Sequence, residues 1–382
     1  MVDFFELETP ALLVDIDQMS RNLDRVADYA RSHEIALRPH IKTHKSPLLS
    51  REQLDRGAAG LTCATPYEAE VMSEACDDLL VMYPPVGQHR AMRLAQLAQR
   101  VRLTVALDSE TAARDIANAA QHVGSDVRVL IEIDVGMHRV GVQSADDATV
   151  LARRVTALPR LEVVGIAFYP GHIRGPVTEH APQLAELGKR IDEARSAFER
   201  AKIPMTVVSA GSTPTLWRTH EIGGVTEMRP GTYIFNDRTT ADIGACTLDD
   251  CALTVLATVV STAVPGQAVV DAGAKALGRE PIRGTSSEGF ASVAGRPDVV
   301  VKSMSEEHGI LDLSRTSWRP KVGERLQLVP NHVCIVVHLA DVVYGVRDAA
   351  VVSSWPVAAR GRGQPVLADS SEPALLRTGL GR

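Results

Sequence analysis

The stretch RLTVALDSETAARDIANAAQHVGSDVRVLIEI, residues 102–133, contains one complete unit of the fold. Short β-branched apolar runs at 102–106 and 127–133 are typical of buried strands. The Ala-rich segment 109–122 between them has the spacing of an amphipathic helix. Strand, helix and strand in this order predict two parallel strands joined by a helical crossover.

The same alternation continues in both directions, from residue 35 to about residue 235. It predicts eight strands, at 36–42, 60–63, 79–82, 102–106, 127–133, 163–168, 206–209 and 225–228. It also predicts helices at 67–75, 90–99, 109–122, 145–157 and 184–201. Eight such units favour an α/β fold with a closed (β/α)8 barrel of the TIM type. An open doubly wound sheet is the alternative, but the GxGxxG motif of a dinucleotide fold does not follow the first strand.

The pattern of the sequence changes after residue 237. Strand-like segments at 253–263, 267–271, 325–328 and 333–337 are separated by frequent Gly, Pro and Ser, and long helical stretches disappear. We therefore expect a barrel domain over residues 1–240 and a β-rich C-terminal domain over 241–360. Residues 361–382, which are polar with repeated Gly and Pro, are expected to form a flexible tail.

Composition excludes several classes of protein. The 382 residues are 45 % hydrophobic and 23 % charged, which is typical of a globular chain and excludes disorder. A net charge of −6, 4 % aromatic residues and the lack of a basic block argue against nucleic acid as a partner. No apolar run approaches the roughly 20 residues that cross a bilayer, and the N-terminus is acidic, so we expect a cytoplasmic protein without membrane contact. The five scattered cysteines indicate free thiols rather than a disulfide framework.

The most unusual stretch is RPHIKTHK, residues 38–45, at the end of the first predicted strand. The carboxyl ends of barrel strands face the active site, where partial desolvation lowers the pKa of a lysine and makes its amine a nucleophile. Lys42 is the candidate, with His40 two residues earlier on the same predicted strand face. A solvated basic loop without a ligand is the alternative.

Two neighbouring segments predict a phosphate site. SAGSTPT, residues 209–215, places small residues and hydroxyls at the turn after the seventh strand, where free backbone N–H groups can hold a phosphate. EMRPGTYIFND, residues 227–237, ends the eighth strand, with Gly231 and Tyr233 close to that turn. A simple N-cap followed by Pro214 in the first helical turn is the alternative, and the two readings are compatible.

NHVC, residues 331–334, suggests a metal site in the β-rich half. If the segment is a strand, His332 and Cys334 share a face, and an imidazole with a thiolate favours zinc or another borderline divalent metal. Only two protein ligands leave positions for water or substrate, as in a catalytic site. A buried pair without metal is the alternative.

Two further segments could line the same pocket. GMHRVGV places Arg139 after the fifth strand, where the cation can meet an aromatic cofactor or a carboxylate. YPGHIRG places Tyr169 and His172 after the sixth strand, where the first could contact a ring and the second could move protons. A surface ion pair and an ordinary loop are the alternatives.

In this order, RPHIKTHK, GMHRVGV, YPGHIRG, GSTPT, RPGTYIFND, EEHG and NHVC resemble the motifs of a known family. It is the D-threonine aldolase and D-serine dehydratase family, pyridoxal-phosphate enzymes of fold type III related to alanine racemase. The resemblance covers about residues 7–360. The ordered set is specific in a way that no single motif is.

The resemblance implies a role for each candidate residue. Lys42 is the lysine that bonds to pyridoxal phosphate, and the catalytic candidates are Lys42, His40 and His172. His332 and Cys334 match the family's metal pair, for Zn, Mn, Mg or Co. The residues expected around the cofactor are Lys42, Arg139, Tyr169, Ser209, Gly211, Ser212, Thr213, Gly231 and Tyr233.

The resemblance also implies a lyase that acts on D-β-hydroxy amino acids and forms a homodimer. We favour D-threonine aldolase, which cleaves its substrate to glycine and an aldehyde. The alternative is a dehydratase for D-serine or D-threo-3-hydroxyaspartate, because many aldolases of the family have Asp where this chain has Cys334. Racemisation has no use for the metal pair, and a non-enzymatic pyridoxal-phosphate carrier has no use for the C-terminal domain.

Overall fold

Eight parallel strands form the predicted barrel in the computed structural model, which describes residues 2–363. All neighbouring pairs in the sheet are parallel, and a bridge between His40 and Thr62 closes it between the first and second strands. The prediction of a TIM-type barrel is confirmed. Its strands are Ala36–Leu37, Leu61–Cys63, Asp78–Val81, Arg102–Leu107, Val127–Glu132, Leu161–Ala167, Val207–Ala210 and Glu227–Met228.

Helices cover the outside of the barrel because each has one apolar face. In the helix between the fourth and fifth strands, Ala112, Ile116 and Ala120 are fully buried against the barrel. Ser109 caps this helix by accepting a hydrogen bond from the N–H of Ala112. The barrel-domain helices are Ile16–Ser32, Pro47–Leu54, Pro66–Met72, Gln88–Leu97, Glu110–Val123, Ala145–Thr156 and Ala181–Ala201.

The first barrel strand is shorter than predicted. It ends at Leu37, and the segment Ile41–Thr43 forms a 3₁₀ turn with His40 as its N-cap. Pro39 contributes to this early end, since its nitrogen cannot donate to a strand ladder. The expectation that His40 and Lys42 share a strand face was therefore wrong.

The second domain is a ten-stranded, mostly antiparallel sheet that closes on itself through a pairing of Leu253–Ser261 with Arg325–Pro330. This agrees with the β-rich C-terminal domain that the sequence predicts. Its strands are Val2–Asp3, Ala11–Asp15, Leu253–Ser261, Gln267–Val270, Ala291–Val293, Arg296–Met304, Gly309–Asp312, Arg325–Pro330, Val342–Arg347 and Ala350–Pro356.

The N-terminal strands belong to this second sheet and not to the barrel. Ala11–Asp15 pairs antiparallel with Leu253–Ser261 and parallel with Val342–Arg347. The helix Ile16–Ser32 then leads into the barrel. The boundary of the expected 1–240 domain therefore needs correction, because the strands Val2–Asp3 and Ala11–Asp15 contribute to the other domain. The paired strands are more than 200 residues apart in the chain, so no local sequence pattern predicts their pairing.

One predicted strand of the second domain is a helix. The segment 333–337 has strong β propensity, yet Val333–Leu339 is an α-helix with His332 as N-cap. Val333, Val336 and Val337 are fully buried on one face of it. A short apolar run is compatible with both a buried helix and a buried strand. Here the burial of one helical face outweighs the β propensity of the valines.

Shorter helical segments complete the described part of the chain. In residues 2–363, no helix combines the length and apolarity needed to cross a membrane. Of the expected tail, residues 364–382 lie outside the described residues. The short segments are Phe4–Glu6, Ile41–Thr43, Val177–Glu179, Leu216–Glu221, Thr232–Ile234, Arg238–Asp242, Leu248–Asp250, Ala274–Leu277 and Val333–Leu339.

Candidate active site

A cavity of about 630 Å³ opens where the carboxyl ends of the barrel strands meet the second domain. Its volume lies in the range of small-molecule sites, and its walls come from both domains. Nine of the predicted site residues line it: His40, Lys42, Arg139, Tyr169, Gly211, Ser212, Thr213, Gly231 and His332. Four do not: His172, Ser209, Tyr233 and Cys334.

The structure distinguishes Lys42 from its neighbour Lys45. The Lys42 side chain lines the cavity, with its amine 5.9 Å from the centroid of the Tyr169 ring. Lys45 is buried and forms an ion pair with the carboxylate of Glu68. A lysine already paired in this way is a poor nucleophile, so Lys42 is the amine available for covalent chemistry.

Tyr169 lies between two cationic side chains. The guanidinium of Arg139 is 5.1 Å from the ring centroid, and Lys42 approaches the same ring. Both distances are within the range of a cation–π interaction. The predicted placement of Arg139 and Tyr169 around a planar ligand is therefore consistent with the geometry.

The predicted phosphate loop is built by close backbone approach. Gly211 has φ +129°, and a Cβ there would lie 2.7 Å from the backbone N of Arg229. A Cβ on Gly231 would lie 3.0 Å from the carbonyl oxygen of His40. Thr213 accepts a hydrogen bond of 3.1 Å from the N–H of Thr232, which ties the two predicted segments together. The absence of a side chain at Gly211 and Gly231 allows this close backbone approach. Both glycines line the cavity and form a cradle there.

Ser209 and Tyr233 lie below the cavity instead of in it. The Ser209 hydroxyl donates to Glu227 and accepts from Arg229. Tyr233 is 2 % exposed, and its hydroxyl accepts a hydrogen bond of 3.0 Å from Gln53. The 3₁₀ turn Thr232–Ile234 directs the Tyr233 ring into the core. The sequence pattern predicted only that a strand ends before this residue, and it gave no indication of the side-chain direction. Neither side chain is placed to contact a phosphate directly.

His172 is also outside the cavity. Gly171 and Ile173 on either side of it line the cavity, whereas the His172 ring packs on Gly136, where a Cβ would lie 3.0 Å from Nε2. Burial lowers the pKa of His172. The expected proton-transfer role of His172 is not supported by this placement. His40, in contrast, lines the cavity and stays neutral, because burial holds its pKa well below the ordinary value.

The predicted metal pair lies at the start of the helix Val333–Leu339. Asp237 accepts a hydrogen bond of 3.0 Å from Nδ1 of His332, which leaves Nε2 free as a ligand. The Cys334 sulfur is 3.3 Å from the Thr43 hydroxyl, next to Lys42. Burial alone would raise the pKa of Cys334, but the nearby His332 ring and Lys42 amine lower it to about 7. An imidazole nitrogen and a readily ionised thiol suit zinc or a similar ion.

The described residues contain no cluster of three or more His, Cys, Asp or Glu side chains arranged for a metal. If an ion binds here, His332 and Cys334 would be its protein ligands, and positions would remain open for water or substrate.

A network of buried charges supports the floor of the cavity. Arg38, on the chain after the first strand, forms ion pairs with Asp78 and with Glu227 on the eighth strand. Through Ser209 the network reaches Arg229, which lines the cavity. Burial lowers the pKa of Arg229 to about 10. The guanidinium remains a cation at neutral pH.

Comparisons with known proteins agree with the fold and with the family resemblance. The family model described as "Alanine racemase, N-terminal domain" matches residues 14–239, and "Putative serine dehydratase domain" matches residues 252–346. The D-threo-3-hydroxyaspartate dehydratase of Delftia sp. is 36 % identical over 86 % of this chain and 91 % of its own. The D-threonine aldolase of Arthrobacter sp. is 31 % identical over 93 % of both chains. This chain belongs to the D-threonine aldolase and D-serine dehydratase family of pyridoxal-phosphate lyases.

Solved structures of the family superpose closely on this one. The D-threonine aldolase from Filomicrobium marinum has a TM-score of 0.87 and 33 % identity, covering 95 % of this chain and 98 % of its own. Structures of D-threo-3-hydroxyaspartate dehydratase include alanine variants at a histidine and at a cysteine two residues later, the cysteine variant in a metal-free form. An alanine racemase from Bacillus anthracis, at 14 % identity and a TM-score of 0.68, shares the fold.

Three residues in or near the candidate site escaped the sequence analysis. Arg229 and Asp237 stand within a quoted motif, but only the fold shows that one reaches the cavity and the other holds His332. Glu132 is 3 % exposed, and one of its carboxylate oxygens accepts no hydrogen bond from the described residues. Burial raises its pKa to about 7, against the opposing effect of Arg229 and Arg139.

Glu132 should give the apoprotein a specific pH dependence. Its pKa is about 7 when folded and near the ordinary 4.5 when unfolded, so between these values only the unfolded chain ionises and stability falls as pH rises. Relative to E132Q, the wild type should lose about 3 kcal/mol of unfolding free energy between pH 4.5 and pH 8. Urea unfolding of both proteins across this range measures the difference. The exposed strand residue Glu162 provides the control, because E162Q should show no pH-dependent difference.

Asp237 should control metal affinity through His332. D237N keeps one oxygen acceptor for the cap of Arg238–Asp242 but removes the charge that orients the imidazole. We expect metal binding to weaken about tenfold, measured by competition with a chromogenic chelator. D242N, on the exposed side of the same short helix, is the matched control. Equal affinity in D237N and wild type would contradict the role of Asp237.

Proposed function

We propose that this chain is a pyridoxal-phosphate- and divalent-metal-dependent lyase that cleaves D-threonine or a related D-β-hydroxy amino acid to glycine and an aldehyde. The proposal depends on one observation: the Lys42 side chain and His332 line a single cavity, and Cys334 lies behind its wall in contact with Thr43. Thr43 contacts Cys334 and directly follows Lys42, so the groups suited to act at Cα and at the β-oxygen lie side by side.

The cavity offers groups suited to each part of the cofactor. The backbone of Gly211, Ser212 and Gly231 forms a cradle for its phosphate, and Lys42 faces the cavity with a free amine. Arg139 and Tyr169 provide a cation and an aromatic face for the ring. When bound, the cofactor supplies an electron sink for Cα and the metal ion polarises the β-oxygen.

The chain's own residues provide proton transfer and orientation. The Lys42 amine is the base that lines the cavity, while neutral His40 can accept a hydrogen bond and orient the substrate. Asp237 fixes the His332 ring so that Nε2 presents its lone pair. The family spacing supports the metal role, because the D-threo-3-hydroxyaspartate dehydratase solved in a metal-free form has alanine in place of a cysteine two positions after a histidine that has also been replaced. His332 and Cys334 have the same spacing.

Dehydration to ammonia and a 2-oxo acid is the second candidate. The position of His172 favours it, because Lys42 lines the cavity as a base for the Cα proton, whereas His172, the base expected for the β-hydroxyl, does not. The 36 % identity to the Delftia dehydratase supports the same candidate. The presence of Cys334, where many aldolases of the family have Asp, agrees with it.

A cationic cavity wall suggests which side chains the substrate can carry. Arg174 lines the cavity and, within the described residues, has no ion pair; its guanidinium donates to the carbonyl oxygen of Gly171. Arg283 also lines the cavity but is neutralised by Glu280. Arg174 is therefore positioned to attract a side-chain carboxylate. The 3-hydroxy-D-aspartate aldolase of Paracoccus denitrificans, 32 % identical over 95 % of this chain, supports 3-hydroxy-D-aspartate as a substrate.

The proposal extends to assembly and location. We propose a homodimer, because fold-type III relatives are homodimers, and a cytoplasmic location, because the five cysteines are free thiols. Racemisation receives no support from the metal pair, and a cofactor carrier receives none from the match to the dehydratase domain over residues 252–346.

Product analysis tests the proposed reaction. The purified protein is incubated with pyridoxal phosphate, a divalent metal and D-threonine, and glycine with acetaldehyde is measured separately from ammonia with 2-oxobutyrate. We expect glycine and acetaldehyde, lost on addition of EDTA. K42A should lower turnover by at least about a thousandfold, since the covalent amine and the base are both removed. K42R, which keeps the charge, should be equally inactive.

The other outcomes separate the candidates. Ammonia with 2-oxobutyrate in equal amounts would establish the dehydratase. Turnover of L-threonine but not of D-threonine, or full activity in K42A, would contradict the proposed function altogether. With 3-hydroxy-D-aspartate as substrate, R174M should raise KM and leave kcat nearly unchanged.

A further inference from the structure

Arg139 belongs to a loop, residues 134–142, that follows the fifth barrel strand, Val127–Glu132. Within residues 2–363 its guanidinium forms no ion pair, and it approaches the Tyr169 ring at 5.1 Å. A long side chain without a charged partner keeps much rotamer freedom, so its location depends on where its own backbone lies. The position of Arg139 in the cavity is therefore set by whatever fixes this loop.

The side chain of Asp134 fixes the start of the loop. Its Oδ1 accepts hydrogen bonds of 3.0 Å from the backbone N–H groups of Gly136 and His138. Its Oδ2 accepts one of 3.1 Å from Nδ1 of His138 and one of 3.3 Å from the side chain of Gln143. Burial alone would raise the pKa of Asp134, but the hydrogen bonds from Gly136 and His138 lower it. The group is therefore a charged acceptor at neutral pH.

Asp108 fixes the end of the loop from the neighbouring strand. It directly follows the fourth strand, Arg102–Leu107, and its Oδ2 accepts a hydrogen bond of 2.9 Å from the backbone N–H of Gly141. Gly141 has φ +111°, and a Cβ there would overlap the backbone of Asp134. The two ends of the loop thus pack on each other, and Arg139 lies between two carboxylate anchors.

The residue before Arg139 has a strained backbone that depends on Asp134. His138 has φ +53°, in the left-handed region that residues with a Cβ seldom adopt. Such a conformation persists where surrounding contacts compensate for its cost. Asp134 supplies these contacts, because it binds both the backbone N–H and the ring of His138. Without Asp134 the strain can relax, and the backbone turn that directs Arg139 toward Tyr169 is lost.

We infer that Asp134 and Asp108 are positioning residues that hold the Arg139 guanidinium against the ring of the cofactor. Among the described residues Arg139 lines the cavity, whereas the two carboxylates do not, so they act through the loop and not by contact. The inference rests on the proposed function, since it takes the ligand of this cavity to be pyridoxal phosphate. The alternative is that both carboxylates stabilise the barrel without a specific effect on Arg139.

Binding of pyridoxal phosphate, measured by equilibrium dialysis of the full-length protein, separates these two roles. R139A should raise the Kd for the cofactor about tenfold, because the cation beside the ring is lost. D134A should raise it by a similar factor. The double variant D134A/R139A should bind as R139A does, because Asp134 acts only through Arg139. A general effect on the barrel predicts instead that the two losses multiply to about a hundredfold.

Three further variants refine the test. D134N keeps Oδ1 as the acceptor for the two backbone N–H groups, so its Kd should stay within about threefold of wild type. D108A releases the other end of the loop, and its effect should also disappear in the R139A background. D126A is the matched control and should bind as wild type does. Asp126 lies at the opposite end of the fifth strand, where it pairs with Arg160 on the surface.

The outcomes distinguish failure of the inference from failure of the proposed function. Multiplicative losses in D134A/R139A, or binding by D134N as weak as by D134A, would overturn the inference and leave the proposed function intact. A loss in D126A as large as in D134A would overturn it too. If D134A does not fold, D108A with R139A provides the same comparison. A wild-type protein without saturable cofactor binding would contradict the proposed function, and the inference with it.

Discussion

The carboxylate of Asp237 is the point on which the arrangement of the site depends. One oxygen caps the short helix Arg238–Asp242 at the end of the barrel domain, and the other accepts hydrogen bonds from His332 and from the backbone of Val333 in the second domain. The contact between Thr43 and Cys334 is a second link across the same boundary. Together they hold the metal pair against the cavity that Lys42 lines, although about 290 residues separate Lys42 from His332.

The barrel below this boundary was predictable because its signal is local. Each strand and each helix has its own periodicity, and the segments 102–106, 109–122 and 127–133 agree with the observed elements within two residues. The site motifs were predictable for a related reason, since strand ends face the cavity and each motif follows a strand. Gly211 and Gly231 show this well, because their close backbone approach is what the turn requires.

The features that the sequence did not predict depend on contacts between distant segments. The N-terminal strand Ala11–Asp15 finds its partners in the second domain, and the valine-rich segment after His332 becomes a helix because one of its faces is buried. The 3₁₀ turn Thr232–Ile234 directs the Tyr233 side chain into the core instead of the cavity. His172 packs against Gly136, although both of its sequence neighbours line the cavity. Side-chain direction in loops is set by such packing, which the spacing of motifs does not encode.

The central claim is that the amine of Lys42 acts in the same cavity as a metal ion held by His332, which lines that cavity, and by Cys334 behind it. A crystal structure of the protein loaded with pyridoxal phosphate and zinc, with anomalous data at the zinc edge, measures this directly. The account predicts cofactor density continuous with Nζ of Lys42 and an anomalous peak bound by His332 and Cys334 at the same cavity. Density continuous with Lys45, or zinc bound elsewhere while His332 and Cys334 remain free, would contradict it.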